Sequence, residues 1–291
     1  MEPSDRQTQP IAVGIDPGSK KEGWSVKSAA QTYLNLQADA VTWVKEHVEQ
    51  RRIMRRARRY RQTPCRQPRF NRARGGLPPS TKARWQWKLR LARWLSQLFP
   101  VSVFVVEDIK AKTRGKRRWD VSFSPSEVGK QWFYRQLANL GQVLTRSGWE
   151  TQQMRDALGL QKTNKKTAEV FAAHCVDAWV LANSVTGGHL QPDNQQMLMV
   201  VPLRFHRRQL HRLQPGKGGK RLSYGGMLSL GLRRGSLVRH PKFGLTFVGG
   251  SSAGRVSLHR LEDGKRLTQS ARKEDVKCLS FCSWRFYRRN K

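Results

Sequence analysis

Six residues, "VSVFVV" (101–106), limit the fold more than any other stretch of this chain. A continuous apolar run of strand length has no polar face to turn to water. It belongs in a central strand buried on both faces. The run ends in Glu107-Asp108, although acids are depleted in strands. A second strand, "IAVGID" (11–16), ends the same way on Asp16, where the Pro-Gly that follows stops it. An Asp before Pro-Gly also serves as an ordinary turn cap, and on this stretch alone both readings of Asp16 stand.

Around these two strands the pattern is mixed. "GWSV" and "TYLNLQADAV" read as two further strands, so the chain opens as an antiparallel meander. Residues 51–74 then hold 11 arginines in 24 residues and no acid. The first half of the longer 43–76 stretch has helical spacing, with Val44, Val48, Ile53 and Met54 as a sparse apolar stripe, and Pro64 and Pro68 end that helix. "TKARWQWKLRLARWLSQLF" reads as a second helix, whose Trp85, Trp87 and Trp94 are expected in the core. After the 101–111 strand come a basic loop, "KTRGKRRWD", a helix at about 126–146 and a short strand near "WETQQM". A polar segment with "KTNKK" leads into "TAEVFAAHCVDAWVLANSV", a strongly apolar helix that carries His174 and Asp177. Residues 202–232 read as an extended basic linker. From Arg233 onward, short strands with Gly turns suggest a small SH3-like β-barrel.

The charge balance restricts the partner. With 56 Lys+Arg against 20 Asp+Glu, the formal net charge is +36. Self-repulsion of that size calls for a polyanion, and nucleic acid fits better than membrane. No apolar run approaches the ~20 residues of a transmembrane helix, and "MEPSDRQTQP" does not resemble a signal sequence. The four cysteines contain no C-x2-C pair, so a reduced, cytoplasmic protein without a zinc finger is expected. Cys278 and Cys282 read as packing residues.

Three acids then share one anomaly. Asp16 and Glu107 end strands, and Asp177 lies on an apolar helix. A buried carboxylate is costly unless it pairs with a cation or coordinates a metal. Arginine is plentiful here, so a salt bridge explains any one of them. Together, two strand-end acids and one helix acid are what a sheet-plus-helix scaffold needs to gather carboxylates around two Mg2+ ions for phosphodiester displacement. His174, three residues before Asp177, shares its helix face. It is a candidate water-activating base or ligand-orienting group, with a satisfied core histidine as the alternative.

"GIDPGSKKEGWSV", "VFVVEDIKA" and "AHCVDAWVLAN" resemble the three split motifs of RuvC-type nucleases of the RNase H fold. The arginine-rich 45–80 stretch resembles the bridge helix of the transposon-encoded IscB and IsrB proteins, and the tail is similar to their C-terminal barrel. The resemblance implies an RNase H-like mixed sheet flanked by helices. It divides the chain into 1–44 (first RuvC segment), 45–80 (bridge helix), 81–200 (second and third segments), 201–232 (basic linker) and 233–291 (a barrel that reads a target-adjacent motif). Asp16, Glu107 and Asp177 would be the metal ligands, with His174 beside them, using Mg2+ or Mn2+. Arg51, Arg52, Arg55, Arg56, Arg58, Arg59, Arg61, Arg66, Arg69, Arg72 and Arg74 would contact nucleic acid. Implied partners are a guide noncoding RNA and a double-stranded DNA target carrying a short adjacent motif, for a monomer acting near the nucleoid.

IscB proteins usually begin with a small PLMP-motif domain, whereas ten residues precede the first strand here. IscB also carries an HNH nuclease between its second and third RuvC motifs. Residues 108–173 contain no histidine, and an HNH site needs one, so the IsrB type is the closer match. The expected activity is an RNA-guided nickase acting on the displaced strand. The rivals are a branched-DNA resolvase that uses no RNA and an RNA-guided DNA-binding protein that does not cut.

Overall fold

The computed structural model describes residues 9–62, 77–109, 125–165, 167–204, 213–214, 219–220 and 228–288. They form a mixed α/β structure of two compact units, Met1–Met197 and Leu198–Lys291.

In the first unit, β1 (Ile11–Asp16), β2 (Lys21–Lys27) and β3 (Thr32–Asp39) form the expected antiparallel meander. On the other side of β1 the sheet turns parallel, through β4 (Val101–Asp108) and β5 (Gln142–Ser147). The order is therefore β3-β2-β1-β4-β5. β4 is buried from Val103 to Glu107, as its unbroken apolar run requires.

Two helices lead into β4. α1 (Trp43–Tyr60) carries the first arginines, and α2 (Pro79–Leu98) buries Trp85, Trp87, Leu91 and Leu95. Trp94 is half-buried. α2 is tied to β2 by a buried ion pair, Lys88 Nζ to Glu22 Oε1 at 2.6 Å. It also stacks Trp85 on Phe133 of α3 (Pro125–Leu137), ring centroids 5.2 Å apart.

The region after β4 departs from the sequence expectation. The helix expected at about 126–146 stops at Leu137, and residues 142–147 form β5. "WETQQM", expected as a strand, lies in α4 (Gly148–Ala157). The cause is a capping box: the Ser147 hydroxyl accepts from the Glu150 backbone N–H, and the Glu150 carboxylate accepts from the Ser147 N–H. The S-x-x-E signature of this start stands in "SGWE".

The apolar helix α5 (Phe171–Thr186) lies across β1 and β2, and two glycines let it come close. A Cβ on Gly14 would stand 1.8 Å from the Ala178 carbonyl oxygen, and one on Gly23 2.0 Å from that of His174. Any other residue at either position pushes the helix backbone off the sheet. At the far end of α5, Lys27 donates from Nζ to Asn183 Oδ1 (2.8 Å), Thr186 Oγ1 (3.0 Å) and the Gly187 carbonyl (2.6 Å). A cation there also suits the helix dipole.

In the second unit, β6 (Met197–Pro202) pairs antiparallel with the last strand, β16 (Trp284–Arg288). Two-residue ladders join β7 (Leu213–Gln214) to β8 (Gly219–Lys220) and β9 (Leu228–Ser229) to β10 (Leu232–Arg233). The remaining residues of the 202–232 stretch lie largely outside the described residues. β11 (Leu237–His240), β12 (Gly244–Ser252), β13 (Arg255–His259), β14 (Arg266–Ala271) and β15 (Lys277–Ser280) make an antiparallel sheet in the order β14-β13-β12-β11-β15. Its core is Val238, Val248, Val256 and Leu258, with Cys278 packed against it. Cys175, Cys278 and Cys282 are free thiols. Cys65 lies outside the described residues.

Candidate active site

Asp16 and Glu107 emerge side by side because the parallel ladder sets Ile15 opposite Val106, one residue before each. This is the carboxyl end of both strands, at the point where the sheet changes from antiparallel to parallel. The adjacent acid, Asp108, points elsewhere, as strand alternation requires. It pairs with Lys130 at 2.6 Å, accepts a 3.1 Å bond from the Tyr134 hydroxyl, and so belongs to the packing of α3.

From across the sheet α5 supplies His174 and Asp177, one turn apart on one face. The close approach allowed by Gly14 and Gly23 carries them to the strand ends. His174 Nδ1 lies 3.4 Å from Asp16 Oδ2. The structure thus brings Asp16, Glu107, His174 and Asp177 into one buried group, with Asp177 only 1% exposed and Asp16 4%.

Two cations that the sequence reading did not single out share this group. Arg155 of α4 donates from Nη1 to Asp177 Oδ1 at 2.7 Å. Lys162, in the segment between α4 and α5, contacts Asp177 Oδ2 and stands 3.6 Å from Asp16 Oδ2. "KTNKK" reads as a polar link in sequence. The available signal was Asp177 itself, since an acid at that depth needs a counter-charge. Among the described residues no three His, Cys, Asp or Glu side chains form a ready-made metal cage. The Lys162 ammonium stands between two of the acids instead.

The charge is unevenly balanced. Burial alone would raise the Asp16 carboxyl, but the His174 hydrogen bond and the Lys162 charge outweigh it and hold the group below its ordinary value. Glu107 has the opposite fate. Burial first, then the negative charges of Asp16 and Asp177, push it up to about 8. Near neutrality Glu107 is therefore largely a neutral acid that donates to Asp16, the usual outcome when carboxyls crowd together. Burial disfavours the Lys162 ammonium, yet Asp16 and Asp177 raise it above the ordinary lysine value.

The arginine helix is a separate surface. α1 has no buried residue, and Arg51, Arg52, Arg55, Arg56, Arg58 and Arg59 are all exposed. The expected apolar stripe is not covered: Ile53 is 56% and Met54 61% exposed. The ion pair this helix makes among the described residues is Arg52 with Glu49 at 3.4 Å. Arg61 follows as its C-cap, while Arg66, Arg69, Arg72 and Arg74 lie outside the described residues. No described helix is long and apolar enough to cross a membrane.

A family model described as "RRXRR protein" matches residues 1–121. Arg55-Arg56-Ala57-Arg58-Arg59 on α1 fits the letters of that name. Among solved structures, Thermus thermophilus RuvC in complex with a Holliday junction substrate is 13% identical. It covers 62% of this chain and 97% of its own, with a TM-score of 0.31. A second structure, Thermus thermophilus RuvC, is 13% identical and covers 59% and 90%, with a TM-score of 0.29. No curated protein matches the chain.

Proposed function

We propose that this protein is a divalent-metal-dependent DNA endonuclease of RuvC type, directed by a guide RNA and cutting one strand. One observation carries the reading: three carboxylates from β1, β4 and α5 converge, and one of them is pushed up to about 8 by burial and by the other two. A fold does not hold acids together at that cost for packing alone, and perturbed carboxyls of this kind mark functional sites.

The donor set suits Mg2+ or Mn2+, which prefer carboxylate oxygens and leave room for water and phosphate. Asp16, Glu107 and Asp177 would hold the metal. When bound, such ions supply charge stabilisation to the attacking and leaving oxygens of a phosphodiester displacement. The protein's own contribution is positional. β1 and β4 fix Asp16 and Glu107 at adjacent strand ends, α5 fixes Asp177, and Asp16 orients the His174 ring to accept a proton from an attacking water.

The guide-RNA part of the reading rests on α1. A helix with no fully buried residue gains little from the fold, so an outside partner is its natural stabiliser, and its exposed arginines suit phosphates on more than one side. A protein of formal net charge +36 needs such a polyanion. The five-stranded sheet of the second unit, read as an SH3-like barrel, would contact the target-adjacent motif.

The test is cleavage of a supercoiled plasmid by the protein purified with its bound RNA, in Mg2+. One catalytic centre gives open circles, and Asp16→Asn, Glu107→Gln and Asp177→Asn each abolish the nick while RNA still co-purifies. Linear DNA as the first product overturns the single-centre reading. Nicking of four-way junctions by RNA-free protein would establish a resolvase instead.

A further inference from the structure

Lys162 occupies an unusual place. It contacts Asp177 Oδ2 and stands 3.6 Å from Asp16 Oδ2, so its ammonium bridges acids contributed by a strand and a helix. Its side chain is 30% exposed, against 2% for Asp177 and 6% for Asp16. It therefore reaches the acids from the solvent side. No helix or strand holds it, because it sits in the irregular segment between α4 and α5. Next to it is an open cavity of about 430 Å³ lined by Arg155, Gln161, Lys162, Thr163 and Asn164.

Arg155 differs on each count. It projects from α4, is 14% exposed and touches Asp177 Oδ1 alone of the site's acids. It neutralises one oxygen of one acid and leaves the other side of the group open. Lys162 is the cation that lies across the gap between acids.

We propose that Lys162 is a resident counter-cation that competes with the divalent metal for Asp16 and Asp177. With no metal bound it offsets the repulsion among the acids. On loading it swings out, and the adjoining cavity gives the ammonium room to go. This deepens the reading of the acids as a metal site and rests on it. An ammonium and a divalent ion do not hold the same two oxygens at contact distance, because the like charges brought together there repel strongly in a site this poor in water. Metal affinity in this chain is therefore set partly by the work of displacing its own lysine.

The experiment is calorimetric titration of the full-length, metal-free protein with Mn2+ alone, without nucleic acid. Lys162→Gln removes the competitor and is expected to bind Mn2+ about tenfold tighter than wild type. Lys162→Arg keeps the charge and is expected to stay near the wild-type affinity. Lys165→Gln, on an exposed lysine of the same segment, controls for net charge and is expected to change nothing. Lys162→Met serves in place of Gln if the latter's circular dichroism shows a lost fold. Unchanged or weaker Mn2+ binding in Lys162→Gln overturns the proposal, as does equal tightening in Lys165→Gln. Asp16→Asn separates this failure from that of the underlying reading. If it binds Mn2+ as wild type does, the acids are not the metal site at all.

Discussion

Glu22 and Glu107 lie on strands of one sheet, both almost wholly buried, yet they have opposite surroundings. Glu22 faces Lys88 at 2.6 Å, in a pair whose side chains are 0% and 4% exposed. Burial raises its carboxyl and Lys88 works against that rise. Glu107 faces Asp16 and Asp177, which add to what burial does, and the Lys162 charge opposes them only weakly. Depth therefore does not distinguish a structural acid from a functional one, whereas the sign of the neighbouring charge does. Glu22 fastens α2 to β2. Glu107 hydrogen-bonds Asp16 but has no cation paired with it as Lys88 is paired with Glu22, and the fold keeps it at a cost.

The largest expected effect comes from breaking the structural pair. Lys88→Met leaves Glu22 buried beside no cation and is expected to lower stability by about 3–5 kcal/mol, read from urea unfolding. Glu22→Gln combined with Lys88→Met is expected to recover most of that, since replacing both partners of a buried pair is often near neutral. A loss from Lys88→Met no greater than that of a surface substitution would erase the contrast between the two glutamates.

A middle-sized effect comes from the spacing between helix and sheet. Gly23→Ala puts a methyl where the His174 carbonyl oxygen stands, 2.0 Å away. Relief requires α5 to lift, at an expected cost of about 1–3 kcal/mol. His174 and Asp177 ride on that helix, so DNA nicking is expected to fall much further than stability does. Gly148→Ala is the milder comparison, because there the nearest atom is Glu107 Oε1 at 3.3 Å. Equal activity in the two variants would mean that the helix position does not set the site.

This spacing shows why the site was only partly legible in sequence. Asp16, Glu107 and Asp177 stand out because acids interrupt apolar periodicity, and that anomaly is local. The helix–sheet approach depends on Gly14 and Gly23, which look like any strand glycine until the partner helix is in place. Lys162 and Arg155 were invisible for a related reason. In a chain this basic no single lysine is anomalous, and only three-dimensional proximity to Asp177 selects them. The capped start of α4 was readable in "SGWE" but lost to the β-like look of its aromatic residue. The exposure of Ile53 and Met54 on α1 runs against amphipathic logic, which assumes that an apolar stripe finds a protein partner.

The smallest effect is the most discriminating, because the functional acid should improve the fold when it is removed. Glu107 titrates at about 8 in the folded protein against an ordinary value of 4.5. A group whose folded value is raised contributes stability that is complete below the unfolded value and is lost as pH rises through the folded one. Metal-free wild type should therefore weaken steadily between about pH 4.5 and 8, as deprotonation sets a third negative charge beside Asp16 and Asp177. Gln at 107 keeps the neutral form at every pH. In EDTA, Glu107→Gln is expected to match wild type near pH 4.5 and to exceed it above pH 8. Linkage over that whole rise bounds the gain at roughly 5 kcal/mol; water entering the site and the Lys162 charge offset most of it once Glu107 ionises, leaving on the order of 1 kcal/mol, seen as a melting point higher by about 2–4 °C. Added Mn2+ should reverse the ranking, stabilising wild type through an acid that the variant lacks. Glu22→Gln, tested alongside, gains nothing from high pH that its lost Lys88 pairing does not outweigh. A melting point for Glu107→Gln that tracks wild type across this whole range would mean the acid is not held against its neighbours, and the distinction between the two glutamates would rest on packing alone.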